Sequence, residues 1–85
     1  MSWCVYIIRC SDDSLYTGIT TDMDRRWRQH AARQGAKYFR GRQPLALVYL
    51  EVSDDRSRAS RREAAIKRLL RREKEALIQS RRNQL

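Results

Sequence analysis

Two apolar segments open the chain, and a short polar stretch separates them. Residues 3–10, WCVYIIRC, and residues 14–20, SLYTGIT, are rich in β-branched and aromatic side chains, and SDDS lies at their junction. Side chains of this kind favour strands, whereas Ser and Asp favour turns. The pattern therefore predicts a β-hairpin at the start of the chain.

The apolar period changes after the hairpin. Met23, Trp27 and Ala31 follow one another at intervals of four residues, which is the spacing of one helical face. The residues TTD just before them are suited to capping a helix. A helix is therefore predicted over residues 20–33, with Gly35 ending it.

A loop, a strand and further helix are predicted in the second half of the chain. Residues 35–44, GAKYFRGRQP, hold glycines, a proline and cations, which indicates an exposed loop. Residues 45–52, LALVYLEV, are almost continuously apolar, which is typical of a central strand covered on both faces.

Residues 53–80 begin with capping Ser and Asp and contain no Gly or Pro, so they predict one long helix or two, with a break near 71–76. The tail, RRNQL, is predicted to fray.

These elements together predict an α+β fold. The order β-β-α-β-α-α, with a hairpin first, places helices on the faces of a small three-stranded antiparallel sheet. A chain of 85 residues is expected to form one domain with a small core. We assign residues 1–80 to this domain and residues 81–85 to a basic C-terminal tail.

The charge of the chain narrows the class of partner. Nineteen Lys and Arg against ten Asp and Glu give a formal net charge of +9. Polyanions are the natural partners of such a chain, and DNA or RNA comes first among them. A basic surface that serves only solubility is the simpler interpretation.

The cysteines and the apolar runs exclude several other classes. Cys4 and Cys10 are six residues apart, without a CxxC pair and without a histidine at metal-ligand spacing. Neither a zinc site nor a disulfide framework is therefore predicted. The run VYII is too short for a signal peptide or a membrane span. We expect a cytoplasmic protein with reduced thiols and no membrane contact.

Tyr6 and Tyr16 can share one face of the sheet in a single hairpin register. Tyr6 must then lie opposite Gly18, because side chains on a face recur every second residue. The same register places Ile8 opposite Tyr16. A tight two-residue turn would put the tyrosines on opposite faces, so this register requires a longer or bulged loop. Gly18 would then leave an open slot in front of Tyr6, whereas half-buried tyrosines with solvated hydroxyls are the simpler interpretation.

Arg26 and His30 lie four residues apart on the first predicted helix. They therefore project from neighbouring turns beside the apolar face of that helix. A cation and an imidazole in this position can face a cleft, and they can equally form an ordinary surface pair. The sequence leaves both interpretations open.

A carboxylate interrupts the apolar stripe of the last helical segment. Ala59, Glu63, Ile66 and Leu70 follow spacings of 4, 3 and 4 residues. A carboxylate in such a stripe must be paired or must bind a cation, because burying it alone is heavily penalised. Lys67 is placed to form an ion pair with Glu63. The alternative is that Glu63 points into a cleft and binds a hard divalent cation.

Taken in order along the chain, these residues resemble the GIY-YIG nuclease family. The likeness is strongest to small single-domain members similar to the N-terminal nuclease domain of the excision-repair endonuclease, or excinuclease. CVY at 4–6 and YTG at 16–18 resemble the two half-motifs of the family. GAKYFRGR and LVYLE resemble the signature of the small members, and the resemblance runs from about residue 3 to about residue 75.

Three polar residues match residues of the family, and the chain departs from the family pattern in three respects. Arg26 and His30 match the arginine and histidine of the family's helix, and Glu63 matches its metal-binding glutamate. CVY stands in place of Gly-Ile-Tyr, and Thr17 stands in place of the central Ile. The late asparagine of some members has no secure counterpart, since Asn83 lies in the tail.

The resemblance implies single-metal hydrolysis of a phosphodiester. Glu63 would hold Mg²⁺ or Mn²⁺, and Arg26 would stabilise the negative charge of the transition state. Tyr6 or Tyr16 would position or deprotonate the attacking water, and His30 would orient a tyrosine or assist proton transfer. A tyrosine pKa of about 10 must be lowered by cations before the phenol can act as a base near neutral pH.

The resemblance also implies a substrate. The implied substrate is DNA in branched, nicked or damaged form, and the implied role is in repair or recombination. The resemblance does not say whether a protein partner directs the chain to its substrate. The basic residues expected to bind the nucleic acid are Arg25, Lys37, Arg40, Arg42 and Lys67. The alternatives are a nucleic-acid-binding module that cuts weakly or not at all, and a basic protein-interaction domain.

Overall fold

Three antiparallel strands form one sheet in the computed structural model, which describes residues 2–32 and 37–85. The strands are β1 (Trp3–Cys10), β2 (Leu15–Thr20) and β3 (Pro44–Ser53). The helices are α1 (Met23–Ala31), α2 (Arg56–Lys67) and α3 (Arg71–Ile78), and a 3₁₀ helix spans Lys37–Arg40. The predicted α+β class and element order are confirmed. Within the described ranges, no helix is both long enough and apolar enough to cross a membrane.

Aspartate side chains begin the first two helices. Asp22 accepts a hydrogen bond from the backbone N–H of Arg25 at 3.1 Å, and Asp55 accepts one from Arg58 at 2.8 Å. Each carboxylate satisfies a backbone donor that has no partner inside its helix. The predicted helix starts are therefore accounted for, whereas the predicted end at Gly35 lies outside the described residues.

The central strand is β1, and the prediction that the third strand is central was wrong. The strand order is β2-β1-β3, and the four consecutive residues Val5–Ile8 are buried. In β3, Leu45 and Val52 are exposed by 59% and 47%. A continuous apolar run is common to both strands, so it does not tell a central strand from an edge strand. Pro44, which lacks an N–H, suits the edge position.

The two faces of the sheet are covered by different helices. On one face, Val5, Ile7 and Tyr49 pack against Ala59 and Ile66 of α2. We call this the α2 face. The opposite face, the α1 face, is formed around buried side chains that pack against residues of α1, namely Tyr6, Ile8, Cys10 and Phe39. Both cysteines are free thiols.

The stretch expected to be an exposed loop contributes to the core. Its described part forms the 3₁₀ helix Lys37–Arg40, in which Phe39 is fully buried. The glycines and the cations of this stretch indicated a loop, but the adjacent aromatic pair Tyr38 and Phe39 supplies apolar area that outweighs them. Arg42 stabilises this arrangement, because its guanidinium lies 4.2 Å from the centroid of the Tyr38 ring.

The last helical segment is two helices, and the break lies at residues 68–70 rather than within 71–76. The break needs neither Gly nor Pro. Leu70 is extended, with ψ 157°, and its N–H donates to the Glu73 carboxylate at 2.8 Å. That bond caps a new helix start.

The tail does not fray but docks against β3. The amide nitrogen of Asn83 donates to the carbonyl oxygens of Val48 and Ile78 at 2.8 and 2.9 Å. Its amide oxygen accepts from the N–H of Leu50 at 3.2 Å. The N–H of Gln84 then donates to the Leu50 carbonyl at 2.8 Å. One asparagine thus connects the chain end, α3 and the edge strand.

Replacing Asn83 should therefore destabilise the domain. Asn83→Ala leaves two carbonyls and one N–H without these partners, and we expect a loss of about 1–3 kcal/mol in the free energy of unfolding. Urea denaturation measures this loss. Arg81→Ala, at an exposed tail position, is the matched control and should change stability by less than about 0.5 kcal/mol. Equal effects of the two substitutions would show that the tail contributes no specific anchor.

Candidate active site

The hairpin register brings Tyr6 and Tyr16 to the α1 face. Tyr6 pairs with Gly18 and Ile8 pairs with Tyr16, which is the register that a shared face requires. The ring centroids of the two tyrosines are 6.2 Å apart. The two phenols are therefore direct neighbours in space.

The SDDS loop sets this register through a left-handed residue. The N–H of Asp13 donates to the Cys10 carbonyl, and the N–H of Cys10 donates to the Ser14 carbonyl, each at 2.9 Å. Asp13 has φ 66°, a conformation that Asp tolerates better than most residues. This three-residue turn with an αL residue is the longer, bulged connection that the shared face requires.

Gly18 lies directly beneath the Tyr6 ring. A Cβ at this position would be 2.5 Å from the Tyr6 hydroxyl oxygen, 2.7 Å from its Cζ and 3.1 Å from Cε2 of Tyr16. The predicted slot thus exists, but the Tyr6 phenol itself fills it. Glycine is required here so that the buried ring can cross the β2 backbone.

His30 holds the hydroxyl of Tyr6. Its Nε2 lies 2.8 Å from the Tyr6 oxygen, and the imidazole is fully buried. Burial, assisted by the charge of Arg26, lowers the pKa of His30 to about 4. The imidazole is therefore neutral at neutral pH, and it packs 4.4 Å, centroid to centroid, from the Phe39 ring.

Arg26 lies one helical turn before His30 and reaches both phenols. A polar contact with the Tyr6 hydroxyl raises the pKa of Arg26, and the charge of Tyr16 acts in the same direction. One guanidinium nitrogen donates to the Gln29 amide oxygen at 3.0 Å. The Nε of Arg26 is buried, and the described residues give it no hydrogen-bond partner. A fixed cation therefore faces the two hydroxyls.

Burial dominates the acidity of Tyr6. It raises the pKa of Tyr6 to about 12, although the polar contact with Arg26 acts in the opposite direction. The charge of Glu63 acts in the same direction as burial. In the free protein, Tyr6 is therefore a protonated phenol at neutral pH.

Glu63 lies on α2, which covers the face of the sheet opposite to the phenols. Its side chain is 25% exposed, and its Oε2 lies 3.7 Å from Nζ of Lys67. Its negative charge acts to raise the pKa of Tyr6. The ion pair with Lys67 is therefore present, whereas the placement of Glu63 in a cleft with the phenols stays a prediction.

An ion pair that the sequence analysis missed positions α2. Arg62, next to Glu63, donates two hydrogen bonds to the Glu51 carboxylate of β3, at 2.8 and 2.9 Å. Tyr49 donates to the same carboxylate at 2.6 Å. This bidentate contact ties α2 to β3. The partner of Glu51 is eleven residues away along the chain, so local spacing gave no signal.

Glu63 is the one predicted metal ligand, and a single carboxylate could hold only a hard cation that takes its other ligands from water and substrate. Within residues 2–32 and 37–85, no group of three or more His, Cys, Asp or Glu side chains is arranged to hold a metal ion. Mg²⁺ is commonly bound by one or two carboxylates, water and substrate phosphates. A single carboxylate at Glu63 meets that requirement, whereas it does not meet the four-ligand requirement of a structural zinc site.

The candidate nucleic-acid-binding residues divide into two groups. Arg25, Lys37 and Arg40 are exposed. Arg42 and Lys67 are engaged in ion pairs, the former with Asp12 at 2.5 Å and the latter with Glu63. Arg42 therefore also ties the 3₁₀ segment to the hairpin loop.

Aromatic residues that the sequence analysis placed in a loop form one wall of the site. The ring of Tyr16 lies 4.9 Å from that of Phe39 and 5.1 Å from that of Tyr38, centroid to centroid. The adjacent aromatics in KYFR were the available signal. They keep water from one side of the phenols and so contribute to the burial that governs Tyr6.

Comparison with known proteins gives a consistent family match. The model of the GIY-YIG catalytic domain matches residues 2–76. A UPF0213 protein of Haloquadratum walsbyi is 55% identical over 75 residues, covering 88% of this chain and 84% of that protein. The UPF0213 protein YhbQ of Escherichia coli is 49% identical over 76 residues, covering 89% and 76%.

Two solved structures share the fold. The solution structure of a UPF0213 protein from Bacillus halodurans has a TM-score of 0.62 at 46% identity, covering 96% of this chain and 87% of that one. A solution structure of an E. faecalis protein has a TM-score of 0.66 at 38% identity, covering 93% and 84%.

A side chain at position 18 should disturb the site. Gly18→Ala brings a methyl group into the space of the Tyr6 hydroxyl, so the ring must leave His30 or the hairpin must open. We expect a loss of about 1–3 kcal/mol in the free energy of unfolding, measured in urea. Gly41→Ala is the matched control, because a Cβ there meets nothing within 4 Å. If Gly18→Ala and Gly41→Ala change the free energy of unfolding equally, the position of the Tyr6 ring does not depend on Gly18.

The stability of the domain should fall with pH between about 6.5 and about 4. The unfolded state binds a proton at His30 with a pKa of about 6.5, whereas the folded state binds it only near 4. The unfolded state therefore holds more protons in this window, and acidification removes at most about 3 kcal/mol through this group. His30 is the single histidine, so unfolding of wild type and His30→Gln between pH 7 and 5 isolates its effect. Parallel pH profiles for the two proteins would contradict a buried neutral imidazole.

Proposed function

The chain belongs to the GIY-YIG family of catalytic domains, and from this premise we propose that it is a divalent-metal-dependent endonuclease that hydrolyses DNA phosphodiester bonds. One observation carries the proposal. Two phenols, a guanidinium and an imidazole lie close together on the α1 face of the sheet. The net charge of +9 supports a polyanionic substrate.

Arg26 is proposed to stabilise the transition state. Hydrolysis places additional negative charge on the phosphate oxygens, and a guanidinium held in position offers several donors to them. Burial of its Nε and the bond to Gln29 restrict its movement. The cation therefore needs little rearrangement when the charge develops.

Glu63 is proposed to hold Mg²⁺ or Mn²⁺. A divalent ion bound there would neutralise charge on the scissile phosphate and on the leaving oxygen. Lys67 competes for the same carboxylate in the free protein. Metal binding should therefore be strongest when a substrate phosphate supplies further oxygens.

Tyr6 and His30 are proposed to handle protons as a pair. Nδ1 of His30 is buried, and the described residues give it no partner. An unpaired buried acceptor is more readily tolerated than an unpaired buried N–H, so the favoured tautomer carries its proton on Nε2. Nε2–H then donates to the Tyr6 oxygen, which leaves the phenol proton to orient a water or a phosphate oxygen.

Tyr16 is proposed as the second water-handling hydroxyl. It lies beside the same guanidinium as Tyr6. Because Tyr6 has a pKa of about 12, Tyr6 orients the water more readily than it removes a proton from it at neutral pH.

The proposed contacts with the DNA backbone use the exposed cations. Arg25, Lys37 and Arg40 are free to approach phosphates, and Arg42 and Lys67 would reach them after exchanging their present partners. The resemblance to the nuclease domain of the excinuclease supports a role in repair or recombination. Branched, nicked or damaged DNA is the corresponding substrate.

Removal of the carboxylate should abolish cleavage without preventing DNA binding. Glu63→Gln is expected to reduce the rate of plasmid or branched-DNA cleavage in Mg²⁺ or Mn²⁺ by at least roughly a hundredfold, since the metal supplies several kcal/mol. Asp24→Asn makes the same chemical change at an exposed position of α1 and should keep the wild-type rate.

Two results would contradict the assignment. Unchanged cleavage by Glu63→Gln would remove Glu63 from the mechanism. Tight, salt-sensitive binding of DNA by the wild type, without cutting in any metal, would favour a binding module on the same scaffold.

A further inference from the structure

A groove of about 240 Å³ lies beside the candidate active site, at the end of β2. Its walls come from the sheet, from the turn after β2 and from α1. The lining residues are Trp3, Ile19, Thr20, Thr21, Asp22, Arg25, Arg26 and Gln29. None of the family-matched residues except Arg26 lies in this wall.

The walls combine one flat aromatic surface with hydrogen-bonding groups. Trp3 is partly exposed, and Ile19 provides further apolar surface. The Arg56 guanidinium of α2 lies 5.7 Å from the centroid of the Trp3 ring, so a base stacked on Trp3 would share or replace this contact. Gln29 uses its amide oxygen for Arg26, so its amide nitrogen is the group that it can offer to a ligand. Asp22 uses one carboxylate oxygen as the helix cap, so its other oxygen can accept. Such a lining suits a planar, polar-edged ring better than a bare anion.

The two arginines of the groove indicate where a bound ligand ring would lie relative to the proposed scissile phosphate. Arg26 belongs both to the groove and to the cluster of phenols. Arg25 is exposed at the groove. A ligand in the groove and the proposed scissile phosphate would therefore both contact Arg26. Arg25 is available to bind an adjacent phosphate.

We propose that this groove binds an unpaired nucleobase of the nucleotide next to the scissile phosphate, stacked on Trp3. The proposal rests on the nuclease function proposed above and specifies its substrate class. Trp3 is the single aromatic side chain of the lining, so the groove offers a stacking surface for one base. A base inside a duplex is stacked and paired, so it must be unpaired or extruded to enter.

Binding measured in a chelator tests the groove separately from cleavage. Fluorescence anisotropy should compare an oligonucleotide with unpaired bases and a fully paired duplex of the same length. Trp3→Leu keeps an apolar side chain but removes the stacking surface. We expect it to weaken binding of the unpaired DNA by about fivefold to a hundredfold, because base stacking on an aromatic side chain contributes on this scale.

Two matched variants complete the design. Trp3→Phe retains an aromatic ring and should bind unpaired DNA within about threefold of wild type. Arg28→Gln removes an exposed cation of α1 that lies outside the groove lining, and it should weaken both DNAs equally. Equal losses on both DNAs for Trp3→Leu, or no loss on either, would overturn the proposal.

A second measurement on the wild type does not depend on the folding of any variant. The chain has two tryptophans, and Trp27 packs on the α1 face near Tyr6 and Phe39. Titration with a dinucleotide should shift the indole N–H signal of Trp3 in the NMR spectrum and leave that of Trp27 in place. Equal shifts of the two signals, or none, would count against the groove.

The outcomes separate this proposal from the nuclease assignment. Selective loss of unpaired-DNA binding by Trp3→Leu, in a protein that cuts nothing with metal, would keep the base site and remove the nuclease function. Conversely, cleavage that is lost in Glu63→Gln but not in Trp3→Leu, with DNA binding unchanged in Trp3→Leu, would keep the nuclease function and remove the base site.

Discussion

The crossing of the Tyr6 ring over the backbone of Gly18 is the contact on which the site depends. It requires the register in which Tyr6 faces Gly18, and that register requires the left-handed Asp13 in the turn. The ring position then decides where His30 can form its hydrogen bond. Gly18, which has no side chain, thereby fixes the pairing of β1 with β2 and the contact of α1 with that pair.

The charges of the site are arranged across the sheet rather than along one element. Arg26 contacts the phenols from α1, whereas Glu63 belongs to α2 on the other face of the sheet. Arg26 and Glu63 do not pair with each other, since Glu63 pairs with Lys67 and Arg26 contacts Gln29. The proposed anion-binding group and the proposed metal-binding group are therefore separate in the free protein, as a phosphate and its metal ion would require.

The sequence predicted those parts of the structure that depend on neighbours along the chain. Strand β1, the hairpin, the caps at Asp22 and Asp55 and the four-residue spacing of Arg26 and His30 all follow from local patterns. The remaining features depend on distant partners. Packing against α1 made KYFR a 3₁₀ helix, Glu51 tied α2 to β3, and Asn83 joined the tail to β3. The roles of the site residues stay predictions, because geometry shows their proximity and not their chemistry.

The docked tail has a consequence for self-association. A strand at the edge of a sheet offers unpaired N–H and C=O groups to any other extended chain, and β3 also exposes Leu45 and Val52. Asn83 and Gln84 engage the backbone of Leu50, and the Gln84 side chain accepts from the N–H of Val52 at 3.3 Å. Pro44 removes a donor at the other end of the strand. Residues 83–84 thus occupy backbone groups of β3 through which another extended chain could otherwise pair.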